Sequence, residues 1–347
     1  MSSLISFFSN KIETIFLQKK LPKKIAVAVS GGSDSLALTL LLKEFCATKK
    51  IKLFAISVDH KMRQNSSKEL LELGKILQQQ KISHQILEVE TQKIPQKNIE
   101  ANLRQARYNL LYEFCLKNKI GFLFLGHQLD DVAENFLIRL FRGSGLDGLS
   151  TISEISQHKK IKLVRPFLDF NKSDLKDFLT EQKIEWFEDE SNADEKFLRN
   201  KIRNFFSTFE EKNLIQKRVK SACDEISQMR DLFDKIMLKS AKKLLKKVLN
   251  EKNQVSFLID FKRLKKTDEK TALKILALLA MEVSQQNYKP RLKDLKNFYE
   301  YLRANQKIKP RNFYGCQILQ HDEERLLISS QKQITNFYFR TILGKIF

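Results

Sequence analysis

Ile25-Ala26-Val27-Ala28-Val29-Ser30-Gly31-Gly32-Ser33-Asp34-Ser35 is an unbroken apolar run that ends in a glycine pair, and a leucine-rich stretch follows from Leu36 to Phe45. The run lacks the polar alternation of a half-exposed strand, so it reads as a strand buried on both faces. Adjacent glycines let the backbone approach an anion, and the helix that starts behind them offers unpaired N–H groups and the positive end of its dipole. Ser30, Ser33 and Ser35 add hydroxyl donors. Strand, tight turn and helix start, in that order, build a phosphate site. Asp34 is the odd member, because a carboxylate beside phosphates is repelled unless a cation lies between them; it reads as a Mg²⁺ partner. A glycine pair met in isolation reads as a serine-rich turn capped by Asp34 or Ser35, so the rest of the chain has to decide. No lysine follows the glycines as in a Walker loop, and the spacing is not that of a GxGxxG dinucleotide turn.

Outward from this loop, apolar runs recur at 24–29, 51–58, 82–89, 120–126 and 161–166, with helical patterns in the gaps. That alternation predicts an α/β fold, a parallel sheet with helices on both faces. The second run ends in Asp59-His60 and the fourth in Gly126-His127. Ligands bind at the carboxyl ends of strands in open α/β sheets, so three motifs converge on one edge. After Arg203 the alternation stops, and a charged helical stretch is expected from Leu214 to Leu249. Residues 253–347 mix helical segments with short strand-like pieces around 316–319 and 325–329. The expected division is a nucleotide-binding catalytic domain over 1–212 and a smaller, mostly helical domain over 213–347.

Composition sets limits on partners and compartment. With 347 residues, 42% of them hydrophobic, the chain can fill real cores and is not a disordered protein. A formal charge of +22 points to a polyanionic partner, although a general lysine bias explains part of it. Cys46, Cys115, Cys223 and Cys316 stand far apart with no CxxC pair, which disfavours zinc, iron–sulfur and disulfide frameworks and suits reduced cytoplasmic thiols. The stretch from Met1 to Lys20 reads as an amphipathic helix rather than a signal sequence. Ile275 to Val283, interrupted by Glu282, is too short to cross a bilayer, so no membrane partner is expected.

Gly126-His127-Gln128-Leu129-Asp130-Asp131-Val132-Ala133-Glu134 opens a helix straight from a strand, with His127, Asp131 and Glu134 on one face. One aspartate there is accounted for by capping. Two aspartates, a glutamate and a histidine exceed that need, and they can hold an ammonium group, orient Mg²⁺ or accept a proton from an attacking amine. Arg139 and Arg142 precede the glycine-rich Gly143 to Leu149, either as a basic helix end or as phosphate contacts. A helix over 98–119 carries Glu100, Arg104, Arg107 and Tyr108. Trp186, the only tryptophan, precedes Arg199 and Arg203, which lie four residues apart; the ring reads as a core anchor before a base-stacking group. Lys242 to Lys247 is a basic amphipathic turn, a solvated face or an RNA backbone contact.

Ser30 to Ser35 resembles the SGGxDS loop of the N-type ATP pyrophosphatases, enzymes that split ATP into AMP and pyrophosphate. Together with Val58-Asp59-His60 and Arg63, Glu100 to Tyr108, His127 to Gly148, Arg165-Pro166-Phe167 and Trp186 to Arg203, it resembles the motif series of the tRNA(Ile)-lysidine synthases over about the first two hundred residues. HxxDDxxE running into RGSGLxGL is the most specific part. The resemblance implies a PP-loop, adenine nucleotide alpha hydrolase-like fold and a two-step ligation. ATP adenylates the C2 oxygen of the wobble cytidine of the CAU-anticodon isoleucine tRNA, releasing pyrophosphate, and free L-lysine then displaces AMP. It also implies ATP binding by Ser30, Gly31, Gly32, Ser33, Asp34 and Ser35, with Asp34 on Mg²⁺. Asp34, Arg104, His127, Asp131 and Glu134 become catalytic candidates, and Asp130, Arg139, Arg142, Arg199 and Arg203 contacts to substrate or tRNA. A tRNA-binding role for 213–347, a cytoplasmic location and a homodimer complete the expectation. The pattern departs at Lys61, where the family has glycine, at Asn135 for threonine, and at 205–209, which lack a proline. A PP-loop tRNA thiolase is the rival enzyme, but it needs a positioned cysteine; an inactive RNA-binding relative is the other alternative.

Overall fold

A computed structural model of the chain describes residues 2–16, 21–61, 66–90, 95, 99–150, 152–158, 160–187, 193–249, 255–286 and 288–331. Arg63 and 188–192 lie outside the described residues, as does the side chain of Glu100. The chain divides into two units, Met1–Ser227 and Gln228–Phe347.

In the first unit, α1 (Ser2–Phe16) precedes β1 (Lys24–Ala28), α2 (Ser33–Lys49), β2 (Lys52–Asp59), α3 (Ser66–Gln79), β3 (Ser83–Glu88), α4 (Ile99–Lys117) and β4 (Phe122–Phe124). There follow α5 (Leu129–Phe141), the single turn α6 (Leu146–Leu149), β5 (Ile155–His158), β6 (Ile161–Val164), α7 (Lys172–Glu181) and α8 (Ala193–Ser207). Then α9 (Lys212–Leu244) carries the chain out of this unit. The strands form one sheet in the order β3-β2-β1-β4-β6-β5. Every pairing is parallel except that of β5 with β6.

Alternation along β1 explains its apolar sequence. Ile25 and Val27 face a core shared with α1, α2 and α7, through Phe8, Leu38, Leu41 and Phe178. Ala26 faces the opposite core, with Leu111 and Cys115 of α4. Both faces of the strand are therefore covered from Ile25 to Val27, which leaves no place for a polar side chain there; Lys24, at its start, is exposed. Phe8, Ile12 and Phe16 form the buried stripe of α1, at the spacing of one helical face.

The chain lays down β1, β2 and β3 in one direction and then places β4 on the other side of β1. A reversal of this kind splays the loops after β1 and β4 and opens a crevice at their carboxyl ends. The glycine turn and Gly126-His127 flank that crevice.

The second unit holds β7 (Leu245–Leu249), β8 (Val255–Asp260), α10 (Phe261–Lys266), α11 (Glu269–Ser284), α12 (Leu292–Ala304), β9 (Arg311–Phe313), β10 (Cys316–Gln320) and β11 (Arg325–Ser330). Its five strands form an antiparallel sheet, β7-β8-β11-β10-β9, packed with α11 and α12 around Phe257, Ile259, Leu276, Phe298, Ile318 and Ile328. The helical stretch expected to reach Leu249 ends at Leu244, because the next five residues pair with β8, Leu245 opposite Ile259. Residues 214–244 are helical as expected. Ile275 to Val283 lies within α11, and no described helix is long and apolar enough to cross a membrane.

Candidate active site

The turn after β1 is drawn tight by its own serines. The Ser30 N–H donates to Ser35 Oγ at 3.1 Å, and Ser35 Oγ–H donates to the Gly32 carbonyl at 3.0 Å. Gly31 has φ +86, a left-handed conformation, and a Cβ there would lie 2.5 Å from the ring of Phe187, whose N–H donates to the Gly31 carbonyl at 3.0 Å. Gly126 is needed for a second reason. A Cβ on it would stand 3.0 Å from the backbone of Ser35, so only glycine lets the loop after β4 close on the loop after β1. Gly32 caps α2 without a side-chain bond, leaving the helix's first N–H groups without a side-chain cap and available to an anion.

Across the crevice, α5 begins with a capping box. The Gln128 N–H donates to Asp131 Oδ2 at 3.0 Å, and the Asp130 N–H donates to Gln128 Oε1 at 2.8 Å. Asp131 therefore does cap its helix. Capping alone would hold its pKa down; instead burial, aided by the charges of Glu134 and Asp34, pushes it up to about 6 against the bond from Gln128. Asp34 is also raised, by burial first and by Asp130, while Lys172 and Lys176 pull it down. The loop carboxylate and the acidic turn of α5 thus share one electrostatic site.

Glu134 is buried and receives Arg203, Nε to Oε1 at 2.5 Å and Nη2 to Oε2 at 3.3 Å. Arg203, expected to face phosphate or tRNA, is here the counter-ion of a buried carboxylate. Lys212 Nζ lies 3.7 Å from Asp130 Oδ2. Arg139 Nη1 donates to the Gly148 carbonyl at 2.9 Å, closing the glycine-rich turn, and Arg142 ends α5 as an exposed residue.

His127 stands among cations rather than carboxylates. Burial first, then the guanidinium groups of Arg165, Arg104, Arg107 and Arg199, push it down to about 3, so it is neutral at physiological pH. Its Nδ1 is buried without a hydrogen-bond partner. Arg104 and Arg107 lie 5.3 and 5.4 Å from the ring of Tyr108, and Arg165 Nη1 donates to the Ser153 carbonyl at 2.9 Å. Four arginines gathered round a neutral imidazole make a second anion-attracting wall.

Asp59 has a different office from the one its motif suggested. It accepts the Lys61 N–H at 2.8 Å and Ser67 Oγ–H at 2.7 Å, fixing the entry to α3. Lys61 adopts φ +50, the left-handed conformation that glycine takes without cost, so the loop shape is kept by a strained lysine. Trp186 is half-buried against the core with Lys176 over its ring at 5.5 Å, the core-anchor reading.

A family profile described as a PP-loop domain matches residues 6–208. The tRNA(Ile)-lysidine synthase of Rickettsia typhi is 33% identical over 309 residues, covering 88% of this chain and 69% of that protein. The chain belongs to the tRNA(Ile)-lysidine synthase family. The Wolbachia pipientis wMel member is 30% identical over 90% of this chain and 72% of its own length, and the Orientia tsutsugamushi member is 40% identical over 53% and 42%. Against the Orientia member, then, the alignment spans less than half of the relative. A U34-tRNA thiolase from Methanococcus maripaludis shares the fold, with TM-score 0.51 at 18% identity over 67% of this chain and 80% of that one. The fold is thus PP-loop, adenine nucleotide alpha hydrolase-like.

The cysteines of this family member are all buried, and burial pushes the thiols of Cys46, Cys115 and Cys316 up to about 12. Sequence reading had not assigned site roles to Arg107, Arg165, Tyr108 and Phe187. The spacing of Arg104, Arg107 and Tyr108 on α4 carried a signal for the first group; Phe187 left none, since its role is to fill space that Gly31 leaves.

Proposed function

We propose that this chain ligates free L-lysine to C2 of the wobble cytidine of the CAU-anticodon isoleucine tRNA, using ATP and releasing AMP and pyrophosphate. The observation that carries it is the glycine turn brought within contact of Gly126, so that an uncapped helix start faces the acidic turn Asp130–Glu134. The family membership supplies the reaction.

In this reading Ser30 to Ser35 hold the pyrophosphate end of ATP on the N–H groups of α2. Asp34 is the residue that fits Mg²⁺. It would supply one carboxylate to an ion held otherwise by the phosphates of its substrate. When bound, the ion neutralises phosphate charge. The cytosine O2 attacks the α-phosphorus and pyrophosphate leaves. The lysine ε-amine then bonds to C2, and the C2–O bond breaks as AMP departs.

The amine must lose a proton. Asp131, near 6, is the better base, because His127 at about 3 binds a proton too weakly at neutral pH. Glu134 and Asp130 hold the incoming ammonium, and His127 offers its orphaned Nδ1 to the adenylated base. Arg104 and Arg199 face the phosphate of the adenylate, while Arg203 pairs with Glu134. Arg139, Arg142 and residues 213–347 contact tRNA. In this reading the protein works in the cytoplasm, as a homodimer.

Purified protein with labelled lysine, ATP and the CAU-anticodon tRNA tests this directly. Label should enter the tRNA, and AMP should form only when lysine and tRNA are both present. AMP formation without tRNA, or no label in the tRNA, overturns the reading.

A further inference from the structure

Between α8 and α9 the chain turns a short corner that the proposed reaction does not use. Two ion pairs pin this corner to the start of α5. Arg203, on the near side, grips Glu134, and Lys212, on the far side, approaches Asp130. Residues 204–211 are therefore held beside the acidic turn. At that place the chain exposes large apolar groups: Phe205 is 51% exposed, Phe209 38% and Leu214 41%. Phe206 between them is 1% exposed and packs with Ala133 and Ile202.

The rings are ordered among themselves. Phe205 meets buried Phe206 at 5.8 Å and 62°, and Phe209 at 5.1 Å and 80°. Edge-to-face packing of this kind fixes each ring by its neighbour's edge and leaves a face open. Lys201 precedes Phe205 by one helical turn and Arg218 follows Leu214 by one, and both are exposed. Glu210 and Glu211 interrupt the positive surface at the corner itself, where apolar rings stand.

We propose that Phe205 and Phe209 form a stacking platform for an unpaired nucleobase of the RNA substrate, next to the base that reacts. Exposed aromatic faces, with Lys201 one helical turn before Phe205 and Arg218 one turn beyond Leu214, suit a single-stranded segment, whose bases stack while its phosphates reach basic side chains. The platform accounts for two solvent-facing phenylalanines held so close to a charged site. It rests on the lysidine-forming reading and adds to it the means by which a neighbouring base is held out of the reaction centre.

The test compares wild type with Phe205→Ala/Phe209→Ala, Phe205→Leu and Phe205→Trp, all checked for unchanged melting. Steady-state assays give KM for tRNA and for ATP, and fluorescence of anticodon stem-loops carrying 2-aminopurine at single loop positions reads stacking without catalysis. The double alanine variant should raise KM for tRNA by roughly 10- to 100-fold, with KM for ATP within about two-fold. It should also abolish quenching at one loop position. Tryptophan should restore wild-type behaviour and leucine should not, since leucine keeps apolar contact without a π-face. Unchanged tRNA KM in the double variant overturns the proposal, as does leucine equalling tryptophan. So does a dimer-to-monomer change in sedimentation, which would make the corner a protein contact. If wild type quenches a loop base but incorporates no lysine, the functional reading fails and the platform stands.

Discussion

Asp131 and Asp268 both stand at helix starts and both receive backbone N–H groups, yet their carboxyls move in opposite directions. Asp268, at the head of α11 in the second unit, accepts the Thr271 N–H at 2.9 Å and is held below the usual carboxylate range by its bonds to Thr271. It is exposed, so burial opposes the cap only weakly. Asp131 makes an equivalent bond on α5, but burial and the nearby charges of Glu134 and Asp34 outweigh it. Asp268 thus serves as a helix cap. The first unit spends stability to keep a raised carboxylate at the carboxyl edge of its sheet, the pattern expected of a working site.

The largest expected effects fall on the buried side of that contrast. Asp131→Asn keeps the shape of the cap but removes the base, and should lower kcat for lysine incorporation by about 10²- to 10⁴-fold while tRNA binding changes less than about two-fold. Asp34→Ala should do likewise by at least about 10²-fold. Filter binding beside the incorporation assay separates the two quantities; loss of tRNA affinity equal to the loss of turnover would contradict both assignments.

The pH dependence sharpens the same comparison. Turnover requires ionised Asp131, so kcat/KM should fall on the acid side with an apparent pKa of about 6. Because this pKa is raised on folding, Asp131 costs stability as pH rises from its unfolded value towards 6, and the cost is complete above that. Asp268 has the opposite sign: its pKa is lowered on folding, so its stabilisation is present above the unfolded value and is lost as pH falls through the folded one. Asp131→Asn should therefore flatten part of the stability profile between pH 4 and 6, as measured by melting across pH, roughly the window between the unfolded and folded values. Asp268→Ala should cost about 1 kcal/mol at pH 7 and less at low pH.

Legibility followed sequence distance. All five expected strand regions contain strands, because each is a local apolar run. The antiparallel edge strand β5 was not, since Ile155-Ser156-Gln157-His158 has a single strongly apolar residue. Leu245–Leu249 was read as helix because α9 runs into it with no glycine or proline, and its lysines continue the amphipathic pattern. In the site, Ser30 to Ser35 and Asp130 to Glu134 could be read because each lies within a few residues. The tie of Arg203 to Glu134 spans 69 positions, and the four arginines around His127 come from α4, α8 and the end of β6. Apart from Arg104 and Arg107, one helical turn apart on α4, such groups are assembled by topology, and no spacing announces them.

The smallest expected effect concerns backbone rather than charge. Lys61 holds a left-handed φ of +50 at the carboxyl end of β2, and its ammonium lies 2.6 Å from Glu88 Oε2. Both side chains are largely exposed, so that pair contributes little. A non-glycine residue in this conformation costs roughly 1–2 kcal/mol, whereas glycine adopts it freely but loses more chain entropy on folding, by roughly 0.5–1 kcal/mol. The balance favours glycine slightly. Lys61→Gly should raise unfolding free energy by about 0.5 kcal/mol in urea titrations and leave kcat unchanged, because the loop keeps its shape. A clear loss of stability would mean that the ion pair with Glu88, not the conformation of residue 61, sets the geometry at this end of the crevice.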